Sequence, residues 1–250
     1  NDWGFNGIVM TDWIGKRKDL PIESEIAAGN DLMMPGYPAQ VEDIVNAVKA
    51  GKLDINDVDR CVKNMLEYIV KTPRLNGYKH SNKPDLEAHA QITRQASTEG
   101  MVLLKNDDHT LPIKNIKNVA LFGVNSYDFL SCGLGSGCVN VPYVVDMLNG
   151  LKNAGVATTP QLSEMYQDHV QDATAKLKAD KNPEMWFLNQ GQPKLDEIEI
   201  TKRCIEHEIK DADAAIITIA RQAGEGIDRQ IDGEFNLTDN EKSMISRVSD

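Results

Sequence analysis

Gly7-Ile8-Val9-Met10-Thr11, running into Asp12-Trp13, is a short apolar and β-branched stretch of the kind that fits a strand buried on both faces of a parallel sheet. Beyond it, a helix is expected from about Ile22 to Ala28, stopped by Gly29, and then a second short run, Asp31-Leu32-Met33-Met34-Pro35. Strand, helix and strand within about 30 residues is the repeating unit of parallel α/β architecture.

Two amphipathic helices follow. The first carries Val41, Ile44, Val45 and Val48 on one face and is closed by Gly51. Asp54 is the N-cap of the second, which carries Ile55, Val58, Val62, Met65, Leu66 and Ile69 at three- and four-residue steps. Both stripes need a core, and residues 1–72 supply two strands for it, so the rest of the sheet is expected upstream of Asn1. Pro73, Asn76, Gly77, Ser81, Asn82 and Pro84 lie in a stretch without apolar periodicity, and residues 73–87 are expected to link two domains, 1–72 and 88–250.

Past the linker the pattern predicts a helix to Thr98 and strands at Met101 to Lys105 and Val119 to Val124, then a Gly-rich loop at Gly133 to Gly137. Helices are expected at Val144 to Leu151, Glu164 to Leu177 and Ile198 to Ile209, with a buried strand at Ala214 to Ala220. Thr238-Asp239-Asn240-Glu241 is a capping box for a last helix. The second region therefore reads as another α/β unit with a mainly parallel sheet, expected to be cut off before the sheet is finished, as the chain is expected to be cut at Asn1.

Composition narrows the function classes. Of 250 residues, 41% are hydrophobic and 26% charged, as expected for a folded globular chain rather than a disordered or fibrous one. Lys and Arg number 27 against 38 Asp and Glu, a net charge of −11, and no basic stripe with interleaved aromatics tracks a phosphate backbone, which argues against nucleic acid. No apolar stretch approaches the roughly 20 residues of a membrane span. The five histidines are scattered without ligand spacing, so no metal site is expected. Cys61, Cys132, Cys138 and Cys204 match no zinc pattern. Cys132 and Cys138 flank the Gly-rich loop and could bridge, but free thiols and a reducing, cytoplasmic compartment are the favoured reading.

In parallel α/β folds, reactive side chains sit where strands end at their carboxyl edge. Asp12 is so placed, and Glu225 lies just past the Ala214 strand in Arg221-Gln-Ala-Gly-Glu-Gly-Ile-Asp-Arg229. Taken alone, Asp12 reads as a helix cap and Glu225 as a solvated loop carboxylate. The loop Gly133-Leu-Gly-Ser-Gly137 lacks the immediate helix and the following acidic residue of a dinucleotide site.

The wording around the two acids is more specific. Gly4-Phe5-Asn6-Gly7-Ile8-Val9-Met10-Thr11-Asp12-Trp13 and Ala28-Gly29-Asn30-Asp31-Leu32-Met33-Met34-Pro35 resemble the seventh and eighth barrel strands of glycoside hydrolase family 3. Gly100-Met-Val-Leu-Leu-Lys-Asn106, Leu111-Pro112, Val119-Ala-Leu-Phe-Gly123, Gly135-Ser136-Gly137 and Gly224-Glu-Gly-Ile-Asp-Arg229 continue the likeness in the family's order. The resemblance implies the C-terminal part of a (β/α)8 barrel followed by an α/β sandwich. It implies Asp12 as nucleophile and Glu225 as general acid/base of a retaining β-glucosidase without cofactor, the active site lying between the two domains. Trp13 would wall the sugar beyond the cleaved bond, or else be a core Trp, and Ser136 would border the substrate.

A β-linked oligosaccharide or glucoside and the barrel segment upstream of Asn1 are the expected partners, and a homo-oligomer is compatible with the sequence. β-Xylosidase or broader exo-β-glycosidase activity, a non-catalytic carbohydrate-binding relative, and a flavodoxin-like or nucleotide-dependent protein are the alternatives.

Overall fold

The computed structural model describes residues 3–13, 20–179, 193–224 and 228–250. The chain divides into two compact units, Asn1–Val102 and Leu103–Asp250.

In the first unit, β1 (Met10–Trp13) and β2 (Leu32–Met34) pair in parallel. Asp31, at the mouth of β2, fixes their register. Its backbone N–H donates to Val9 O at 2.8 Å, its carboxylate accepts from Val9 N at 3.0 Å, and Asn64 Nδ2 donates to the same carboxylate at 3.0 Å. The connecting helix α1 (Ile22–Ala27) buries Ile22 and Ile26 against Ala47 of α2 (Pro38–Lys49) and against Leu53. Asp54 caps α3 (Ile55–Lys71) by accepting from Asn56 N at 2.9 Å. This helix has a pronounced apolar face, yet none of its residues is fully buried, and Val62, Leu66 and Ile69 are exposed. Residues 73–85 hold turns, and α4 (Leu86–Glu99) is capped by Asp85.

The strand expected at Met101 to Lys105 does not form. Met101, Val102, Leu103 and Leu104 are exposed and belong to no ladder among the described residues. Strand composition without a partner edge leaves the backbone groups to water.

The second unit is a parallel three-stranded sheet, ordered β4 (Ala157–Thr158), β3 (Asn118–Phe122) and β5 (Ala214–Ile217). β3 lies in the middle, and Val119, Ala120, Leu121 and Phe122 are wholly buried. Such strands read as continuous apolar runs because both faces are covered. Leu162 and Tyr166 of α6 (Pro160–Ala179), Ile205 of α7 (Lys202–Ile209) and Met244 of α8 (Asp239–Ser249) complete this core, with Met147, Leu148 and Leu151 of α5 (Met147–Asn153) packed at its margin. Asp213 ties the entry of β5 to β3, its carboxylate accepting from Lys117 N at 2.7 Å and Asn118 N at 3.0 Å. These two backbone donors hold its pKa below the ordinary carboxylate value.

The two loop cysteines are bonded rather than free. Cys138 N donates to Gly135 O at 3.1 Å, a turn that folds the loop back and brings the Cys132 and Cys138 Cα atoms to 5.1 Å, within disulfide range. The inference of a reducing compartment from free thiols loses its basis with this pair. Cys61 and Cys204 are free.

Candidate active-site elements

Asp12, next to the last residue of β1, is exposed, and its Oδ1 accepts from Trp13 N at 2.6 Å. The preceding residue anchors the strand end, Thr11 Oγ1 accepting from Met34 N at 2.8 Å. Trp13 is 71% exposed in its unit, so its indole is not a core side chain there.

Glu225 lies outside the described residues, whereas the chain up to Gly224 and from Asp228 onward is described. Gly224 forms a parallel bridge with Leu134, and Leu134 N donates to Ala223 O at 3.1 Å. Gln222 reinforces this pairing, its Nε2 donating to Cys132 O at 3.2 Å and its Oε1 accepting from Lys194 N at 3.1 Å. Gly133 permits the close approach, since a Cβ there would meet Ala223 O at 2.8 Å. The disulfide-closed loop, with Ser136 exposed in it, therefore runs beside the residues that lead into Glu225.

Arg221 stands at the start of this segment and meets a carboxylate that the sequence pattern identified only as a helix cap. Its Nη1 and Nη2 donate to Glu241 Oε1 and Oε2 at 2.8 and 2.7 Å. Glu241 is 1% exposed, also accepts from Thr238 N at 2.8 Å, and has Lys194 Nζ at 3.7 Å. Burial pushes the Glu241 carboxyl upward in pKa, but the Arg221 bonds, the Thr238 N–H and Lys194 outweigh it and the net shift is downward. On the far side of the segment, the Arg229 guanidinium lies 5.8 Å from the centroid of the Phe235 ring.

A second buried acid, Glu197, was also missed. It accepts from Val124 N at 2.9 Å, Tyr166 Oη at 2.8 Å and Ile198 N at 3.1 Å, while Tyr166 Oη accepts from Gly123 N at 2.9 Å. Burial raises its pKa against these donors. In sequence it looks like one more charge in the polar run Asp196 to Glu199; its place between Leu195 and Ile198 in an apolar alternation was the available signal. Among the described residues no group of three or more His, Cys, Asp or Glu side chains could hold a metal ion, and no helix is long and apolar enough to cross a membrane.

Residues 101–250 match the model of the glycosyl hydrolase family 3 C-terminal domain. Thermostable β-glucosidase B of Acetivibrio thermocellus is 36% identical over 156 residues, which are 62% of this chain and 20% of that protein. β-Glucosidase A of Butyrivibrio fibrisolvens is 30% identical over 189 residues, covering 66% of this chain and 21% of that protein. The structure of β-glucosidase 3B from Thermotoga neapolitana in complex with α-D-glucose superposes with a TM-score of 0.84 at 36% identity, covering 99% of this chain and 34% of that one. The chain thus spans about a fifth of these curated relatives and about a third of that structure. With its parallel α/β fold and the match of residues 101–250 to the C-terminal domain model, the chain belongs to glycoside hydrolase family 3.

Proposed function

We propose that this chain is the part of a retaining β-glucosidase that supplies both catalytic carboxyl groups, Asp12 as nucleophile and Glu225 as general acid/base. The observation that carries the reading is the placement of Asp12 at the carboxyl end of a parallel strand, exposed and beside an exposed Trp13. The 36% identity to a glucose-bound β-glucosidase over 99% of the chain supports it. The exposed apolar faces of α2 and α3, with Val41, Val45, Val62 and Leu66, support a larger barrel of which β1 and β2 are the last two strands.

The chemistry is a double displacement. The Asp12 carboxylate attacks the anomeric carbon as the glycosidic C–O bond breaks, and the Glu225 carboxylic acid gives its proton to the departing oxygen. Glu225, now a carboxylate, takes a proton from water, whose oxygen attacks the same carbon and releases Asp12. Two inversions leave the β configuration unchanged. The mechanism requires the two carboxyl groups about 5 to 5.5 Å apart.

A 2-deoxy-2-fluoro-β-glucoside with a dinitrophenolate leaving group tests the assignment in the intact enzyme. The accumulated glycosyl-enzyme is expected on the peptide containing Asp12 and to be absent in Asp12→Asn. A label on any other carboxylate removes Asp12 from the role.

A further inference from the structure

β3 is the switch point of the second sheet: the chain leaves it for β4 on one side and later returns to β5 on the other. In doubly wound α/β folds the place outside the carboxyl ends of the strands at such a point takes a ligand, often through its phosphate. Here a carboxylate of the chain reaches it. Residues 193–201 form neither helix nor strand, and within this strap Leu195, Glu197 and Ile200 are buried whereas the neighbouring acids Asp196 and Glu199 are exposed. Glu197 Oε2 accepts from Val124 N, in the turn after β3, at 2.9 Å, and Oε1 accepts from Tyr166 Oη at 2.8 Å and Ile198 N at 3.1 Å. Because Tyr166 Oη itself accepts from Gly123 N at 2.9 Å, two successive backbone N–H groups of that turn end on this carboxylate, one directly and one through the tyrosine.

The strap is held along its length by other elements. His169 Nε2 of α6 donates to Asp196 O at 2.9 Å, Asn240 Nδ2 of α8 donates to Glu197 O at 2.8 Å, and Arg247 Nη1 donates to Ile200 O. We propose that residues 193–201 act as a tethered ligand, Glu197 placing a carboxylate where this strand order takes an anion from solution. Burying a carboxylate is costly unless its oxygens are hydrogen-bonded, and three donors meet that need. Two of the three, Val124 N and Tyr166 Oη, belong to the β3 turn and α6 rather than to the strap, so they remain when the side chain is removed. Glu241, the other acid whose charge is felt at Glu197, is paired with Arg221 and has Lys194 Nζ at 3.7 Å. The proposal is independent of the roles given to Asp12 and Glu225.

Chemical rescue tests it in the intact enzyme at neutral pH. E197A removes the carboxylate and leaves its donors around a void. Sodium formate is compared with sodium chloride at equal ionic strength and with neutral formamide. Formate alone is expected to raise the E197A thermal midpoint saturably, the folding equilibrium constant growing about tenfold at about ten times the formate Kd. Wild type and E197Q, in which a side chain fills the place, are expected to respond to formate no more than to chloride. Adding Y166F to E197A removes one donor and is expected to weaken formate binding about tenfold. If E197A does not fold in chloride, its refolding yield in formate against chloride is the readout. A formate-specific response in E197A that Y166F weakens supports the tethered carboxylate. No such response, an equal response in the wild type, or an affinity that Y166F leaves unchanged overturns it.

Discussion

Tyr166 donates its hydroxyl hydrogen to the buried carboxylate of Glu197 at 2.8 Å, and through it α6 is bonded to the segment that reaches Val124 at the end of β3. Burial raises the Glu197 pKa above its ordinary 4.5, so between that value and the folded pKa the native state binds more protons than the unfolded one. Stability from this group is full below pH 4.5 and is lost as pH rises through the folded pKa. In E197Q this downward slope is expected to vanish, as read from urea midpoints at closely spaced pH values above 4.5. An identical slope in the variant removes Glu197 as its source.

Gly123, directly after β3, has φ +92°, and a Cβ there would collide with the carbonyl oxygen of Thr218. Gly123→Ala is expected to cost about 2 kcal/mol or more, because left-handed backbone strain and the clash add. Chemical denaturation measures the loss, and an unchanged midpoint refutes the stated contact.

Cys132 and Cys138 close a loop with a sequence separation of 6. By the loop-entropy relation, a bridge that short contributes about 2 kcal/mol. Replacing both by Ser is expected to lower stability by that amount and to abolish the effect of a dithiol reductant on the unfolding midpoint. A reductant effect that persists in the double variant must come from elsewhere.

The 250 residues on their own are expected to turn over no measurable aryl β-glucoside, since the proposed eight-stranded barrel would have only the two strands β1 and β2 here, too few to enclose a substrate pocket. Release of nitrophenol by the purified chain above the buffer blank would contradict this.

Apolar runs and caps carried most of the fold. Val119 to Val124 was readable because a strand covered on both faces is continuously apolar, and Asp54 and Thr238 announced their helices through the donors that they satisfy. β4 escaped because two residues, Ala157 and Thr158, carry no period. The α7 helix starts at Lys202 rather than Ile198, because Thr201 caps it, its Oγ1 accepting from Cys204 N at 3.3 Å, and Ile198 and Ile200 lie before the cap. Of the candidate site, the strand end at Asp12 and the approach to Gly224 after β5 were legible from apolar runs. The Arg221–Glu241 pair was not, since the two residues are twenty positions apart and meet only through the fold.

The central strand of the second sheet joins parts of the chain made at very different times. Asn118 and Asp213, which tie β3 to β5, are 95 residues apart. A ribosome adding about 5 to 20 residues per second leaves this buried strand without that neighbour for roughly 5 to 20 s. During synthesis this sheet therefore depends on whatever shields a nascent hydrophobic segment, and a slowed translation between the two halves lengthens its exposure to misassembly.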